Sequence, residues 1–598
     1  MSSCLYLAGP PGVGKSTIGA LCAARLGWRL VDTDEELARR LGLSVPAIFA
    51  HHGEAYFRAH EAALCSELAT AAQVVIATGG GTLLHEPSRL LLEGLGVGVC
   101  LTATTEELVR RLGTGLARPL LGPTAPEVGQ ASLTERLDAL LRDRAAVYHA
   151  LPYHLDTTTA TPESIAEVVC RLIAVQHERL VVTHPTGRYD LAIGTDLLDL
   201  AGYAVASRGY CGPIAIVSDT HVGPLYARRM EAGLKAAGIS CSVHLFSAGE
   251  ANKNLSTVES LCQALSGAGV ERGGAVLALG GGVVGDVAGL VAATYLRGIG
   301  LIQVPTSLLA MADSSIGGKV GVDLAAGKNL IGAFKHPDLV VLDLGCLSTL
   351  PPAELTAGLA EVVKAALIAG GDAYARVQAL AEHGPRGTKP ESGAAVLPAL
   401  LGPLRDALQL KAGLVQEDPY EHGARILLNL GHTFAHGLEA FSRYELRHGE
   451  AVALGLVCAV RLSARLGLCA PQFPAELTLL LHKLGLPTTL PIPPNPDRPD
   501  SAQRSASDDG TDDDKFVRIN RAVEAIWAFM QHDKKKRERR NRFVLLRAPG
   551  DVFACDFVDG QQAKDAVWTL FSKSLAGPGR TVPTRGSVTE YSPQGNDR

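Results

Sequence analysis

Near the start of the sequence, a glycine-rich segment has the composition of a phosphate-binding loop. It reads GPPGVGKST over residues 9–17, after a short apolar run and before a segment of helical period. Glycines let backbone N–H groups face phosphate oxygens, while the Lys15 ammonium can reach the β and γ phosphates and the Ser16 hydroxyl can bind Mg²⁺. The loop predicts nucleoside triphosphate binding by Gly12, Val13, Gly14, Lys15, Ser16 and Thr17.

Charged residues downstream of this loop suit an anionic acceptor. Asp32 and Asp34 end the next apolar run, one suited to the metal shell and the other to an acceptor hydroxyl. Arg58 and Arg144 carry guanidinium groups that can clamp a carboxylate. Arg118 lies in a stretch punctuated by Gly and Pro, which predicts a lid that closes on the transferring phosphate.

A second group of residues has the spacing of a metal site. His432 and His436 are four residues apart, on one face if the segment is helical, and His448 follows 16 residues after His432. Glu361 adds a carboxylate from an earlier helical segment. One Glu with two His leaves coordination positions open, as in catalytic zinc sites. A lone His pair of this spacing is more often structural, so the interpretation depends on what surrounds it.

Glycine turns and cations upstream of these histidines supply that context. The segment GGGVVGD, residues 280–286, follows an apolar run and precedes an Ala-rich helical segment, so it can admit a pyrophosphate to a helix N-terminus. Asp313, Lys319, Lys328 and Asn329 stand beside further Gly turns. Together they predict a crevice for a dinucleotide and an anionic substrate.

The elements that must position these residues alternate in type along the chain. Short apolar runs (residues 5–8, 74–77 and 97–101) alternate with helical segments up to residue 175, which indicates βαβ units around a parallel sheet. A second β-rich start appears near Arg179, and the pattern becomes helical from Pro351. Residues 491–514 are rich in Pro, Ser and Asp, which predicts a disordered insertion.

Composition excludes several classes of protein. The 598 residues are 47% hydrophobic and 20% charged, so a disordered or fibrous chain is excluded. The net charge of −5 gives no general basic field for nucleic acid, and the basic run at 534–542 is short. Twelve single cysteines without a CxxC pair predict reduced thiols in a cytoplasmic protein. No secretory signal is expected, and residues 273–295 predict a strand, turn and helix instead of a membrane span.

The motifs of the first part, in order, resemble those of shikimate kinase over about 170 residues. They are GxxGxGKS, DTD, FRxxE, GGG, ARPLL and RxxxY. The resemblance implies ATP with Mg²⁺ held by Ser16 and Asp32, and a lid containing Arg118. It also implies that shikimate is held by Asp34, Arg58, Gly80 and Arg144, with Asp34 positioning or deprotonating the hydroxyl that is phosphorylated.

The second part resembles 3-dehydroquinate synthase over about residues 180–560, on longer matches such as QVPTSLLAMADSSIGGKVGV and NLGHTFAHGLE. The resemblance implies NAD⁺, and Zn²⁺ or Co²⁺ on Glu361, His432 and His448. The implied NAD⁺ contacts are Glu250, Lys253, Gly281, Gly282, Val283, Val284, Gly285, Asp286, Thr306, Ser307, Asp313, Lys319, Lys328 and Asn329. The implied substrate and catalytic contacts are Arg297, Lys364, Lys411, Arg425, Asn429, His436 and the Lys534–Lys535 pair.

The predicted fold is α/β throughout. Residues 1–172 form a P-loop kinase-like parallel sheet with helices, and 173–180 a linker. Residues 181–350 form a Rossmann-like NAD-binding subdomain, and 351–575 an all-helical metal-binding subdomain with the insertion at 491–514. Residues 576–598 form a disordered tail.

The sequence therefore predicts a bifunctional enzyme of the route to chorismate. It would phosphorylate shikimate with ATP and convert 3-deoxy-D-arabino-heptulosonate 7-phosphate to 3-dehydroquinate with phosphate release. The family implies a homodimer through the synthase half, without nucleic-acid or membrane partners. Two alternatives stay open: the second half as another sugar-phosphate cyclase or a polyol dehydrogenase, and the first half as an ATP-sensing module without catalysis.

Overall fold

A computed structural model describes residues 4–113, 132–175, 177–383, 397–494, 512–532 and 542–571. The chain divides into two compact units, Met1–Ala365 with Pro385–Arg425, and Ala366–Gly384 with Ile426–Arg598. The division falls inside one helix, whose last residues, 366–369, are counted in the second unit.

The first unit begins with a five-stranded parallel sheet of order β2-β3-β1-β4-β5. Its strands are β1 (Cys4–Ala8), β2 (Arg29–Asp32), β3 (Val74–Ala77), β4 (Val97–Thr102) and β5 (Tyr153–Asp156). Its helices are α1 (Lys15–Leu26), α2 (Thr33–Leu41), α3 (Val45–Leu68), α4 (Glu86–Leu95), α5 (Thr105–Leu112), α6 (Leu133–His149) and α7 (Pro162–Ala174). The central strands β1 and β3 are buried along their whole length, as expected for a sheet covered by helices on both faces. The predicted P-loop kinase-like sheet is confirmed.

The second sheet of this unit has seven strands in the order β6-β7-β14-β11-β10-β8-β9, and all pairs except β6–β7 are parallel. Its strands are β6 (His177–His184), β7 (Gly187–Gly194), β8 (Ile214–Asp219), β9 (Cys241–Phe246), β10 (Ala275–Gly280), β11 (Gly300–Pro305) and β14 (Leu339–Asp343). A separate antiparallel pair is formed by β12 (Lys319–Leu324) and β13 (Gly327–Phe334). The helices are α8 (Ala201–Ala206), α9 (Gly223–Ala236), α10 (Leu255–Gly267), α11 (Gly282–Thr294), α12 (Pro352–Ala369) and α14 (Leu397–Glu417).

The junction of the two sheets differs from the expected linker. Helix α7 ends at Ala174 and β6 begins at His177, so most of residues 173–180 belong to regular elements. Helix α8 packs against β5, the edge strand of the first sheet. The predicted linker is wrong in that respect, because residues 177–180 are already paired with β7.

The second unit is mainly helical. Its helices are α13 (Gly371–His383), α15 (His432–Phe441), α16 (His448–Arg465), α17 (Phe473–Lys483), α18 (Asp512–His532) and α19 (Gly560–Trp568). It also contains a hairpin of β15 (Phe543–Ala548) and β16 (Asp551–Cys555), so the expectation of an all-helical subdomain is corrected. Helix α18 begins at Asp512, so the last residues of the predicted insertion are helical, whereas residues 495–511 and the tail lie outside the described part of the chain.

Two expectations from composition can be compared with the fold. All twelve cysteines are free thiols, and eight of the described ones are buried. Among the described residues, every helix is too short or too polar to cross a membrane. The apolar segment near residue 280 is strand β10 followed by helix α11, as predicted.

Candidate active sites

The glycine-rich loop joins β1 to α1 at the carboxyl end of the first sheet. Gly12 and Gly14 have φ values of 82° and 98°, a left-handed backbone that glycine adopts without strain. The Lys15 ammonium donates hydrogen bonds to the carbonyls of Gly9 (2.9 Å) and Pro10 (3.1 Å), so it is folded over the loop. The loop is thus shaped to present a cation and the start of helix α1 to a phosphate.

The two expected Mg²⁺ ligands are in direct contact. The Ser16 hydroxyl donates to Asp32 Oδ2 over 2.5 Å. The other oxygen of Asp32 caps helix α2, accepting the backbone N–H groups of Asp34 (3.0 Å) and Glu35 (3.2 Å). Since the cap orients the carboxylate, a hydroxyl and a carboxylate oxygen point to one place beside the loop, which is the hard-oxygen donor set that Mg²⁺ prefers.

The glycine triplet after β3 brings the expected shikimate contacts together. A Cβ on Gly79 would lie 2.5 Å from Asp34 Oδ1, one on Gly80 would lie 2.8 Å from the Arg144 guanidinium, and one on Gly81 would overlap that of Arg58. The Arg144 guanidinium also donates to the Gly80 carbonyl. Each glycine therefore faces one of three expected shikimate contacts, and only the absence of a Cβ allows all three approaches.

A buried carboxylate that the sequence analysis included in the FRxxE motif, without giving it a role, holds one of these arginines. Glu61 is 2% exposed, accepts from Arg58 at 2.7 Å, and receives a hydrogen bond of 2.5 Å from the Thr82 hydroxyl. Glu54 contacts the same guanidinium at 3.1 Å. The spacing of Arg58 and Glu61, three residues apart on helix α3, was visible in the sequence, but the burial that gives Glu61 its importance was not. Arg118 lies outside the described residues.

In the second sheet, the expected dinucleotide residues form a connected cluster beyond the carboxyl end of β10. Gly281 and Gly282 begin helix α11, and Gly281 lies close to Ser307. The buried ammonium of Lys253 lies 2.6 Å from Asp286 and donates to the Asn329 amide oxygen over 2.6 Å.

The charged side chains of this cluster are paired with one another. Burial raises the pKa of Asp286 to about 6, partly offset by the Lys253 ammonium. Lys328 lies 3.2 Å from Glu250 at the rim. The remaining expected contacts come directly after strands β10 and β11. Val283, Val284 and Gly285 lie in the first turns of α11, and the Thr306 N–H donates to the Gly280 carbonyl.

Two buried lysines stand beside two carboxylates. Lys411 is 2.6 Å from Asp313, and Lys364 is 2.5 Å from Glu361. Burial alone would raise the pKa of Asp313, and the ammonium groups of Lys411 and Lys364 hold it below its usual range. Burial lowers the pKa of Lys411, whereas Glu361 and Asp313 keep the pKa of Lys364 above its usual value. These alternating charges are suited to accept an anionic substrate and to exchange a proton with it.

The metal ligands expected from the sequence come together. One ligand atom each from Glu361, His432 and His448 lies within 4.8 Å of the others, on helices α12, α15 and α16. His448 Nδ1 lies 3.4 Å from the buried carboxylate of Glu439, which leaves Nε2 for a metal. A carboxylate and two imidazoles fit a catalytic Zn²⁺ or a similar divalent ion with positions open to substrate. Glu439 was not identified in the sequence, where nothing separates it from other helical glutamates.

The remaining expected contacts fall into three groups. Arg425 is buried and donates to the carbonyls of Gly317 (3.1 Å) and Pro419 (2.9 Å). His436 lies one turn beyond His432, and Asn429 ends the short helix before α15. Lys319 pairs with Glu421, and Arg297 is exposed at the end of a short helical turn. Lys535 lies outside the described residues.

Comparison with known proteins assigns both parts. Residues 11–174 match the shikimate kinase family. Residues 243–357 match the N-terminal domain family of 3-dehydroquinate synthase, and residues 358–509 match its C-terminal domain family. A 3-dehydroquinate synthase of Lactiplantibacillus plantarum is 42% identical over 363 residues, covering 61% of this chain and 90% of the relative.

Two solved structures resemble the second part. One is a 2-deoxy-scyllo-inosose synthase complexed with carbaglucose-6-phosphate, NAD⁺ and Co²⁺, with a TM-score of 0.52, 25% identity and coverage of 66% of this chain and all of the other. The second is a 2-epi-5-epi-valiolone synthase of Streptomyces hygroscopicus subsp. jinggangensis 5008 with NAD⁺ and Zn²⁺ bound, with a TM-score of 0.50, 28% identity and coverage of 64% and 96%. With a shikimate kinase domain preceding it, the larger part of this chain belongs to the 3-dehydroquinate synthase family, and the whole combines two enzymes of the chorismate pathway.

Proposed function

We propose that the chain catalyses both reactions with the side chains described above, each in its own cleft. The observation that carries this assignment is the meeting of Glu361, His432 and His448 ligand atoms within 4.8 Å in a chain that also holds a complete phosphate loop. The higher identity to 3-dehydroquinate synthase (42%) than to the other cyclases (25% and 28%) supports the seven-carbon sugar-phosphate acid as the cyclase substrate.

In the kinase cleft, the loop of residues 12–17 holds ATP, and Ser16 with Asp32 holds Mg²⁺. That ion neutralises charge on the β and γ phosphates when bound. Arg58 and Arg144 grip the shikimate carboxylate, and Asp34 accepts the proton of the attacking hydroxyl as the γ-phosphoryl group passes to its oxygen and ADP leaves. The contact of Asp34 with Gly79 supports this role, because it places the carboxylate at the glycine triplet that also meets Arg144 and Arg58.

In the synthase cleft, the cluster of Lys253, Asp286 and Asn329 lies along NAD⁺, and the triad of Glu361 and two histidines holds Zn²⁺ or Co²⁺. When bound, these groups supply a hydride acceptor that is regenerated and an ion that polarises the substrate oxygens. Lys364, Lys411 and Arg425 bind the substrate's carboxylate and phosphate, with the remaining expected contacts Arg297, Asn429, His436 and Lys535. The charge of the lysine pair supports anion binding, because both ammonium groups are buried.

Homodimerisation through the synthase half and a cytoplasmic location are further parts of this proposal. The free cysteines support a reducing compartment, since twelve thiols persist as thiols where glutathione keeps them reduced. Light scattering of the purified chain tests the dimer, and a monomeric mass at micromolar concentration contradicts it.

A paired assay tests the functional assignment. ADP formation with shikimate and phosphate release from the heptulosonate phosphate are measured on the wild type, Lys15→Ala and His432→Ala, before and after chelation of the metal. Lys15→Ala is expected to lose only the kinase reaction. His432→Ala is expected to lose only the cyclase reaction, as is the chelated enzyme once the chelator has been removed and excess Mg²⁺ restored.

Specific results favour the alternatives. Absence of ADP formation together with an ATP effect on the cyclase rate indicates a sensing module. Net NADH formation with a simple polyol and no phosphate release indicates a polyol dehydrogenase.

A further inference from the structure

A cavity of about 550 Å³ opens in the first unit away from both clefts. Most of its lining residues lie at the beginnings of strands: Arg188 is the second residue of β7, residues 272–274 precede β10, and residues 298–300 lead into β11. The cavity therefore lies at the amino edge of the seven-stranded sheet. The proposed dinucleotide crevice lies at the carboxyl edge, about 20 Å away along six-residue strands.

The charge of this cavity is strongly positive. Its lining contains four cationic side chains, Arg188, Arg208, Arg272 and Lys335, and one acidic side chain, Asp338. Asp338 already accepts hydrogen bonds from the Tyr210 hydroxyl (2.6 Å) and the Leu301 N–H (3.1 Å). One oxygen of this carboxylate, Oδ2, is thus already engaged by two donors of the neighbouring chain segments.

These cationic side chains have hydrogen-bond donors that no ion pair occupies. Within the described part of the chain, Arg188, Arg272 and Lys335 make no ion pair. Arg208 pairs with Asp190 at 2.6 Å, yet its Nε is buried and makes no hydrogen bond to a described residue. The buried donor without a partner is costly, and the three cations without an ion pair, of which Arg188 and Arg272 are exposed, concentrate positive potential around one cavity. A bound anion would satisfy both.

We infer that this cavity is a third anion site, which binds a small molecule carrying phosphate groups. Arg and Lys together match phosphate oxygens by bidentate and point-charge contacts, and a dianionic group supplies the charge that several cations in so small a volume require. Five of the thirteen lining residues are glycine, so the wall leaves room between the cations for such a group. The ligand cannot simultaneously contact the metal ligands or the glycine turn of β10, so the site is separate from catalysis.

Titration calorimetry of the full-length chain with inorganic pyrophosphate, without Mg²⁺ and at 150 mM salt, tests the inference. The wild type is expected to bind pyrophosphate at one more site per chain than Arg272→Ala/Lys335→Ala, or at that site at least about tenfold more tightly, since two charge-assisted hydrogen bonds are lost. Arg228→Ala removes an exposed arginine of α9 that does not line the cavity and is the matched control. Both basal activities should be unchanged in the double variant and in the control variant, which also shows that they fold.

Several outcomes overturn the site. Equal stoichiometry and affinity in the wild type and the double variant do so, as does an equal loss in Arg228→Ala. A changed mass in light scattering with unchanged pyrophosphate binding assigns the cations to a subunit contact instead. Citrate serves as a polycarboxylate comparison, and citrate binding as tight as that of pyrophosphate contradicts the phosphate class.

Discussion

Replacing Gly79 by alanine should disable the kinase while leaving the rest of the enzyme intact. The added methyl group would lie 2.5 Å from Asp34 Oδ1 and 2.8 Å from Glu61 Oε1, whereas ordinary contact begins at 3.4 Å. Both carboxylates are therefore too close: the Asp34 oxygen must retreat by about 0.9 Å, and the oxygen of the buried Glu61 that holds Arg58 by about 0.6 Å.

That displacement can be converted into a rate. A misplacement of about 1 Å in a catalytic group costs about 100-fold, or about 2.7 kcal/mol of transition-state stabilisation. We expect kcat/KM for shikimate to fall by about that factor. The KM for ATP should change little, because the atoms nearest to the added methyl group belong to Asp34, Glu61 and Thr82, none of which is in the phosphate loop.

The assay is ADP formation at varied shikimate concentration, with phosphate release by the cyclase measured on the same sample to confirm folding. Gly94→Ala is the control, since Gly94 is on helix α4 and a Cβ there meets nothing within 4 Å. If Gly79→Ala keeps kcat/KM for shikimate within twofold of the wild type, Asp34 does not act from the described position.

Three further changes have defined outcomes. Glu439→Gln should weaken Zn²⁺ affinity about 10- to 100-fold by loosening a histidine ligand, measured by dialysis against a zinc buffer, and unchanged affinity contradicts this. Lys253→Met should lower the free energy of unfolding by about 3 kcal/mol, because it leaves Asp286 buried without its cation. Lys328→Met, at the rim, should lower it by less than about 1 kcal/mol. Denaturant titration measures both, and equal losses contradict the prediction. Burial lowers the pKa of His154 from 6.5 to about 4, so between these pH values the unfolded chain binds one proton more than the folded chain, and stability rises with pH. His154→Gln should flatten this rise of Tm with pH, and an unchanged slope refutes the prediction.

The sequence predicted best those features that depend only on neighbouring residues along the chain. The phosphate loop and the strand–turn–helix at residues 275–294 need only a strand, glycines and a helix in succession, and both occur as expected. The meeting of Glu361, His432 and His448 depends on three separate helices. Residue types and spacing suggested Glu361 with two of the three histidines, and the family resemblance singled out His432 and His448.

Other features depend on tertiary contacts that leave no local trace. The run FVLL at residues 543–546 is apolar without alternation, so it fits a buried strand and a buried helix equally, and the hairpin was missed. Glu61 and Glu439 look like surface glutamates until the fold buries them beside Arg58 and His448. Similarly, the basic cavity gathers residues from five distant segments.

The packing of helix α8 on strand β5 has a practical consequence. An open sheet edge offers unpaired N–H and C=O groups to any neighbouring chain, and here a helix from the following enzyme shields it. Severing the polypeptide near residue 175 would strip that shield. A kinase fragment produced alone would tend to aggregate through this edge, and adding the fragment that contains helix α8 should restore its solubility.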